Sequence, residues 1–294
     1  MSGEGLALLA ALFYGLAGVA IIKGKPAARG DNGVFLSVLM TAGVSAALWL
    51  FQGQTGLSEL GSPDALEPLT VFVAAGLFSM VLGRTTMYRA TEQIGPVATS
   101  LLRRLSPVFA LPLALVFLAE VPRWWTVLGV ALVIGAVMLH IGRPTLKPDR
   151  SIGIGWLLGI GSAAFYAVSY TLRSHGLDLL PDAALGTFIG ALAGLVWLLS
   201  AVAVGSERGA RLRRLLKDRG PWHLLTAVTL SAGQICQFYA LQSAPVVVVA
   251  TLGSLEVFFA ALLSAAIMRG PHMRTGPIWG PAALAALGTA LLIW

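Results

Sequence analysis

Residues 95–110 read GPVATSLLRRLSPVFA, and residues 244–259 read APVVVVATLGSLEVFF. Each stretch opens with a proline and a valine. Farther along, Ser106-Pro107-Val108-Phe109 corresponds to Leu255-Glu256-Val257-Phe258 at a similar distance from that opening. One match of this kind arises by chance, so its meaning depends on whether the rest of the chain repeats with the same offset.

Two further pairs of segments repeat with an offset near half the chain length. Tyr88-Arg89-Ala90 corresponds to Tyr239-Ala240-Leu241, and Phe13-Tyr14-Gly15 corresponds to Phe165-Tyr166-Ala167. Because all the pairs keep the same order, they indicate a duplication. We predict that residues 1–142 form a first repeat and residues 151–294 a second.

The composition excludes an ordinary soluble domain. Of 294 residues, 57% are hydrophobic and only 11% are charged, whereas soluble domains carry roughly 25% charged residues. The excess apolar surface therefore faces lipid. The net charge of +7 comes from basic residues in the connectors, without the aromatic residues of a nucleic-acid surface, so we expect no nucleic-acid partner.

Apolar runs of the length needed to cross a bilayer, roughly 20 residues each, follow one another along the chain. We predict spans at 5–22, 33–52, 68–88, 96–118, 123–141, 153–173, 183–204, 222–241, 245–268 and 276–294. Five spans per repeat is an odd number, so the second repeat enters the membrane upside down, as in many secondary transporters. The predicted fold is an all-α integral membrane protein of ten transmembrane helices, built as two inverted five-helix repeats.

The positive-inside rule orients the bundle. Most basic residues lie in one set of connectors, as in 23–29, 143–150 and 208–219, while the opposite connectors hold Arg123, Arg173 and an acidic loop with Glu59, Asp64 and Glu67. We predict a multi-pass protein of the plasma (inner) membrane with both termini outside the cytoplasm.

Charged side chains inside a span are costly in lipid and are therefore candidates for function. Arg103 and Arg104 lie in the fourth span and Glu256 lies deep in the ninth, which is its repeat equivalent. We predict that Glu256 pairs with one of these arginines. The alternative for the arginines is snorkelling to the headgroups, and Arg84 is interpreted as an interface anchor.

Uncharged polar groups at middle depth form a second candidate set, because a buried tyrosine or glutamine needs a hydrogen-bond partner. The set comprises Tyr14, Tyr166, Tyr170, Gln234 and Gln237. A wet binding cavity would supply partners; hydrogen bonds between helices are the alternative.

Two further features concern the backbone. Pro107, the mid-span proline, is a candidate hinge. Gly186, Gly190 and Gly194 are spaced four residues apart and predict close helix packing.

Signals for chemistry on a substrate are missing from the sequence. It has no phosphate-binding GxxxxGK[ST] loop, no metal-ligand spacing and one cysteine, Cys236. We expect no enzyme activity, no metal and no cofactor.

The motif residues resemble the EamA repeat of the drug/metabolite transporter superfamily. The resemblance is carried by Gly95-Pro96-Val97, by Leu105-Ser106-Pro107-Val108-Phe109-Ala110 and by Phe117-Leu118-Ala119-Glu120. It implies a transporter, often an exporter of amino acids or related metabolites, that works by alternating access. The second copy departs from the pattern, with Arg269 at the terminal glutamate and Glu256 at the mid-helix proline. The charge-based orientation also differs from that of many members.

Together these observations predict a secondary transporter, an exporter of a small metabolite. An arginine would attract a carboxylate or phosphate, tyrosines would hold an apolar part, and Glu256 would balance charge or carry a proton. The alternatives are a lipid-linked or phosphorylated substrate and a non-transporting membrane scaffold. The expected partners are a small solute and the lipid bilayer, and the chain is a monomer or a homodimer.

Overall fold

A computed structural model describes residues 2–140, 150–203 and 208–267, together with 280, 283–284, 287–288 and 290–291. Within these residues the regular elements are all helical, which confirms the all-α class. The main helices are α1 (Gly3–Gly24), α2 (Val34–Gln52), α3 (Leu66–Gly76), α4 (Arg84–Leu102), α5 (Ser106–Phe117), α6 (Trp124–His140), α7 (Arg150–Leu179), α8 (Ala183–Ala203), α9 (Arg208–Leu215), α10 (Pro221–Leu241), α11 (Val246–Gly253) and α12 (Glu256–Ile267).

Seven helical segments of the described part are long and apolar enough to cross a membrane, and two shorter apolar helices, Ser106–Phe117 and Trp124–Ala136, accompany them. Helices suit lipid because they satisfy their backbone hydrogen bonds internally. The predicted tenth span, 276–294, lies largely outside the described residues, so the count of ten stays a prediction.

Two predicted spans were too short. The third, predicted at 68–88, is helical from Leu66 through the π-helical segment Leu77–Gly83 into α4, and the chain turns only at Gly95, whose φ is +83°. The sixth, predicted at 153–173, continues as α7 to Leu179. In both cases polar residues end the apolar run in the sequence, yet the helix continues, and some of these residues, such as Arg84 and Arg173, are buried inside the protein.

Both helices that carry the repeated motif are interrupted at mid-length. After α4, a short 3₁₀ turn, Arg103–Leu105, precedes α5. In the second half, α11 ends at Gly253 and α12 begins at Glu256. Pro107 is the second residue of α5 and has no N–H for the carbonyl of Arg103, which explains the first interruption. Its role as a hinge stays a prediction.

The glycines predicted to pack helices closely do so. Gly190 of α8 meets Gly76 of α3, Gly186 lies against Phe72, and Gly194 lies against Met80. A Cβ atom added at Gly76 would overlap the carbonyl oxygen of Gly190. Since a backbone atom cannot rotate away, α3 and α8 can approach this closely only without a side chain at that point.

Replacing Gly76 with alanine should therefore destabilise the protein by about 1–3 kcal/mol, the range for forcing extra atoms into a packed interior. Unfolding of the purified protein in mixed micelles measures the effect. Gly43→Ala on α2 is the matched control, because a Cβ there meets no atom within 4 Å. Equal stability of the two variants would contradict the close contact.

Candidate functional site

A cluster of polar side chains fills the centre of the helix bundle. Each member is at most 6% exposed. The cluster comprises Tyr14 from α1; Arg84 from α4; Arg103 from the 3₁₀ turn after α4; Tyr166, Tyr170 and Arg173 from α7; Gln234 and Gln237 from α10; and Glu256 from α12. The members contact one another directly, so the centre is closed in this conformation but charged.

Arg103 and Glu256 form a buried ion pair, with Nη1 of the arginine 2.7 Å from Oε2 of the glutamate. The sequence predicted that Glu256 pairs with Arg103 or Arg104, and the structure shows the pair with Arg103. The burial of this side chain excludes snorkelling for Arg103. Each charge also lies at the favourable end of a helix: Arg103 directly follows the C-terminus of α4, and Glu256 opens α12. Helix ends stabilise a cation and an anion in these positions.

Tyrosines from the two halves cover the Arg103 guanidinium. Its central carbon lies 4.7 Å from the ring centre of Tyr166 and 5.1 Å from that of Tyr14, within the range of a cation–π interaction. These tyrosines occupy the segments that correspond in the two repeats. Tyr170 lies one turn beyond Tyr166, with the ring centres 6.0 Å apart.

The two glutamines of α10 connect Tyr14 to α7. The Tyr14 hydroxyl donates to Oε1 of Gln237 at 3.2 Å, and Nη1 of Arg173 donates to the same oxygen at 3.1 Å. Oε1 of Gln234 lies 3.5 Å from the Tyr14 hydroxyl. The predicted middle-depth residues therefore meet at one place. Whether they contact a solute stays a prediction.

Sequence reasoning missed Arg84 and Arg173. Arg84, interpreted as an interface anchor, is fully buried, and its Nη1 donates to Ser37 Oγ at 3.1 Å. Arg173, assigned to a connector, is fully buried within α7. Its spacing from Tyr166 and Tyr170 is i, i+4, i+7, which places all three on one helix face. That spacing was the available signal.

Arg104 is the remaining predicted arginine. Its backbone belongs to the 3₁₀ turn after α4, but its side chain lies outside the described part of the structure. The prediction that it contributes to the site is therefore untested.

A second polar feature lies where α5 ends and α11 begins. Glu120 accepts a hydrogen bond from the Val246 backbone N–H at 3.4 Å. Together with Glu4 and Arg123 it lines a cavity of about 380 Å³. Partial burial raises the pKa of the Glu120 carboxyl. This glutamate thus joins the end of one repeated motif to the start of the other.

The described residues hold no group of three or more potential metal ligands of the histidine, cysteine, aspartate or glutamate type. Inside the bundle, the chemistry available is ion pairing, hydrogen bonding and contact with aromatic rings. Side chains of these kinds are suited to holding a solute, and that role stays a prediction.

Long apolar helices around a buried charged cluster define a multi-pass membrane protein. The sequence profile of the EamA-like transporter family matches residues 1–142 and again residues 153–294. The chain belongs to this family of membrane transporters and carries two copies of its repeat, which confirms the resemblance found in the motifs.

A solved structure described only as "Crystal structure of protein" shares the fold. The two structures superpose with a TM-score of 0.68 over 98% of this chain and 95% of that chain, and the two sequences are 15% identical. At this identity the match shows the fold alone. No curated protein matches the sequence significantly.

Removing one member of the central ion pair should be costly, because it leaves the other charge buried. We expect Glu256→Met or Arg103→Met to destabilise the protein by about 3–5 kcal/mol. The double variant Arg103→Met/Glu256→Met should recover much of this loss, since no charge of the pair is then left alone. Unfolding of the purified proteins gives the three values. Losses that simply add in the double variant would show that the pair is not coupled.

Proposed function

We propose that this protein is a secondary transporter that exports a small metabolite, such as an amino acid or a related compound, by alternating access. The observation that carries the proposal is the buried Arg103–Glu256 pair, which joins two interrupted helices at the centre of the bundle. Interrupted helices whose ends face the midplane are a recurring way to build transporter binding sites.

The proposed arrangement is two inverted five-helix repeats, residues 1–142 and 151–294, in the plasma (inner) membrane. It is supported by the origin of the cluster: Tyr14 and Arg103 come from the first half, and Tyr166 and Glu256 come from the second. The solute would therefore bind where the halves meet, and movement of one half against the other would open the site.

Hydrogen bonds at the two ends of the bundle are the contacts that the proposed alternating access would open. At the start of α2, Asp218 accepts from the backbone N–H groups of Arg29, Gly30 and Asn32 at 2.6–3.0 Å. At the other end of α2, Asp182 accepts from those of Gln54 and Thr55 at 2.8 and 3.1 Å. Alternating access would release one set of contacts while the other holds.

Glu256 is the candidate for coupling transport to protons. Protonation removes its negative charge, and the attraction to Arg103 with it, so the two interrupted helices would be free to separate. The scaffold alternative expects a dry, fully packed centre with no cavity. The cluster is closed in this conformation, and its buried charges are the observation that supports transport instead.

Transport by purified protein in liposomes with an imposed pH gradient tests this proposal. With a panel of radiolabelled amino acids as probes, we expect gradient-driven flux that Glu256→Gln makes independent of pH, because glutamine cannot carry the proton. Glu67→Gln, at an exposed glutamate near the start of α3, is the control and should behave as the natural protein does. Unchanged rate and pH dependence in Glu256→Gln would overturn the coupling role.

The proposed orientation is tested by cysteine labelling. In a Cys236→Ala background, Glu59→Cys should react with a membrane-impermeant reagent added to intact cells, whereas Lys217→Cys should react only after the membrane is opened. Both positions are exposed. The reverse pattern would place the termini in the cytoplasm.

A further inference from the structure

We propose that Arg84 and Arg173 bind the anionic group of the solute, a carboxylate or a phosphate. This inference rests on the proposed transport function and names its substrate class. It gives a binding role to the two arginines that sequence reasoning left out of the site. Arg103 has a different role, because it pairs with Glu256.

The charges of the cluster do not balance. Among the side chains that the structure describes, three guanidinium groups, those of Arg84, Arg103 and Arg173, are buried in the cluster with the carboxylate of Glu256. Glu256 pairs with Arg103. No described carboxylate lies within ion-pair distance of Arg84 or Arg173, so their positive charges are uncompensated by this part of the protein.

Neutral groups alone accept the hydrogen bonds described for these two arginines. Arg84 contacts the hydroxyls of Ser37 and Thr41, and Arg173 contacts the amide of Gln237. The Nε atoms of both arginines are buried without a hydrogen-bond partner. A guanidinium has five N–H donors, so both groups keep unused donors at the centre of the bundle.

The amide of Gln234 lies between the two guanidinium groups, and its single oxygen reaches only one of them at a time. With its oxygen turned toward Arg173, that oxygen accepts from both terminal nitrogens, at 2.6 Å from Nη1. With its oxygen turned the other way, Oε1 lies 3.5 Å from Nη2 of Arg84. In either orientation the amide oxygen accepts from one guanidinium and not from the other. A carboxylate or phosphate offers several acceptor oxygens and negative charge.

The surroundings also suit the remainder of such a solute. The central guanidinium carbon of Arg173 lies 4.6 Å from the ring centre of Phe238 and 5.8 Å from that of Tyr170. These rings provide apolar surface beside the anion site. We therefore expect the solute to carry an aromatic or apolar part attached to its anionic group.

Ligand-induced stabilisation of the purified protein tests the assignment. The probes are benzoate, phenyl phosphate and inorganic phosphate, with benzamide as the neutral analogue of benzoate. At least one anion should raise Tm in proportion to its concentration, and benzamide should not. A rise in Tm with benzoate alone would indicate a solute with a carboxylate. A rise with phenyl phosphate or inorganic phosphate would indicate a phosphorylated solute. If no anion raises Tm, or if benzamide does so equally, the assignment is wrong.

Variants of the arginines locate the effect. Arg84→Gln and Arg173→Gln should each weaken binding of the active anion by roughly tenfold or more, because each removes charge-assisted hydrogen bonds. Arg89→Gln, which removes an exposed arginine of the same helix α4, should bind as the natural protein does. Undiminished binding by the double variant Arg84→Gln/Arg173→Gln would show that the anion binds elsewhere.

Stability without ligand gives a second, independent readout. If the two guanidinium groups bind an anion that is absent from the ligand-free protein, Arg84→Gln or Arg173→Gln removes an uncompensated buried charge. The Tm of each variant should therefore rise or stay unchanged. A large fall in Tm for both Arg84→Gln and Arg173→Gln would mean that they hold the fold instead.

The two proposals fail under different results. Anion binding without flux in liposomes would overturn the transport proposal alone, whereas flux of a neutral solute without anion binding would overturn this inference alone.

Discussion

Hydrocarbon offers no partner to a charged side chain, and the arrangement of this bundle follows from that constraint. Buried guanidinium groups at the centre are tolerable only where carboxylates, hydroxyls, amides or aromatic rings surround them. Arg103 meets this requirement through Glu256 and the rings of Tyr14 and Tyr166. Because those partners come from both halves of the chain, the contacts of Arg103 link the two halves in this conformation.

The interrupted helices are part of the same solution. An unbroken helix has no free end along its length, whereas the interruptions at Arg103–Leu105 and before Glu256 place helix ends at the buried cluster. The end of α4 favours the cation and the start of α12 favours the anion. A pair stabilised in this way is strong while both ends are aligned and weakens when they separate. This property suits a contact that would break and re-form in each cycle of the proposed alternating access.

The sequence predicted the helical class, the repeat and the pairing of Glu256 with one of two neighbouring arginines, because apolar runs and mid-span charges are local features. It failed where tertiary structure overrides the local pattern. Arg173 follows an apolar run and was assigned to a connector, yet α7 continues past it because that face packs inside. Arg84 looked like a membrane anchor because sequence gives depth along a helix but not which side faces the interior. The sequence also contains no signal for the interruption before Glu256, because no proline lies there. The interruption at Arg103–Leu105, in contrast, is explained by Pro107.

The central claim is that the buried cluster becomes open to each side of the membrane in turn. Its most direct test is a thiol at Tyr170, now 4% exposed, in a chain whose natural cysteine is replaced: Tyr170→Cys with Cys236→Ala. In liposomes where this variant transports solute, an impermeant thiol reagent should modify residue 170 when added to either side alone, and the solute should slow the reaction. Active transport with residue 170 protected from both sides would contradict the account.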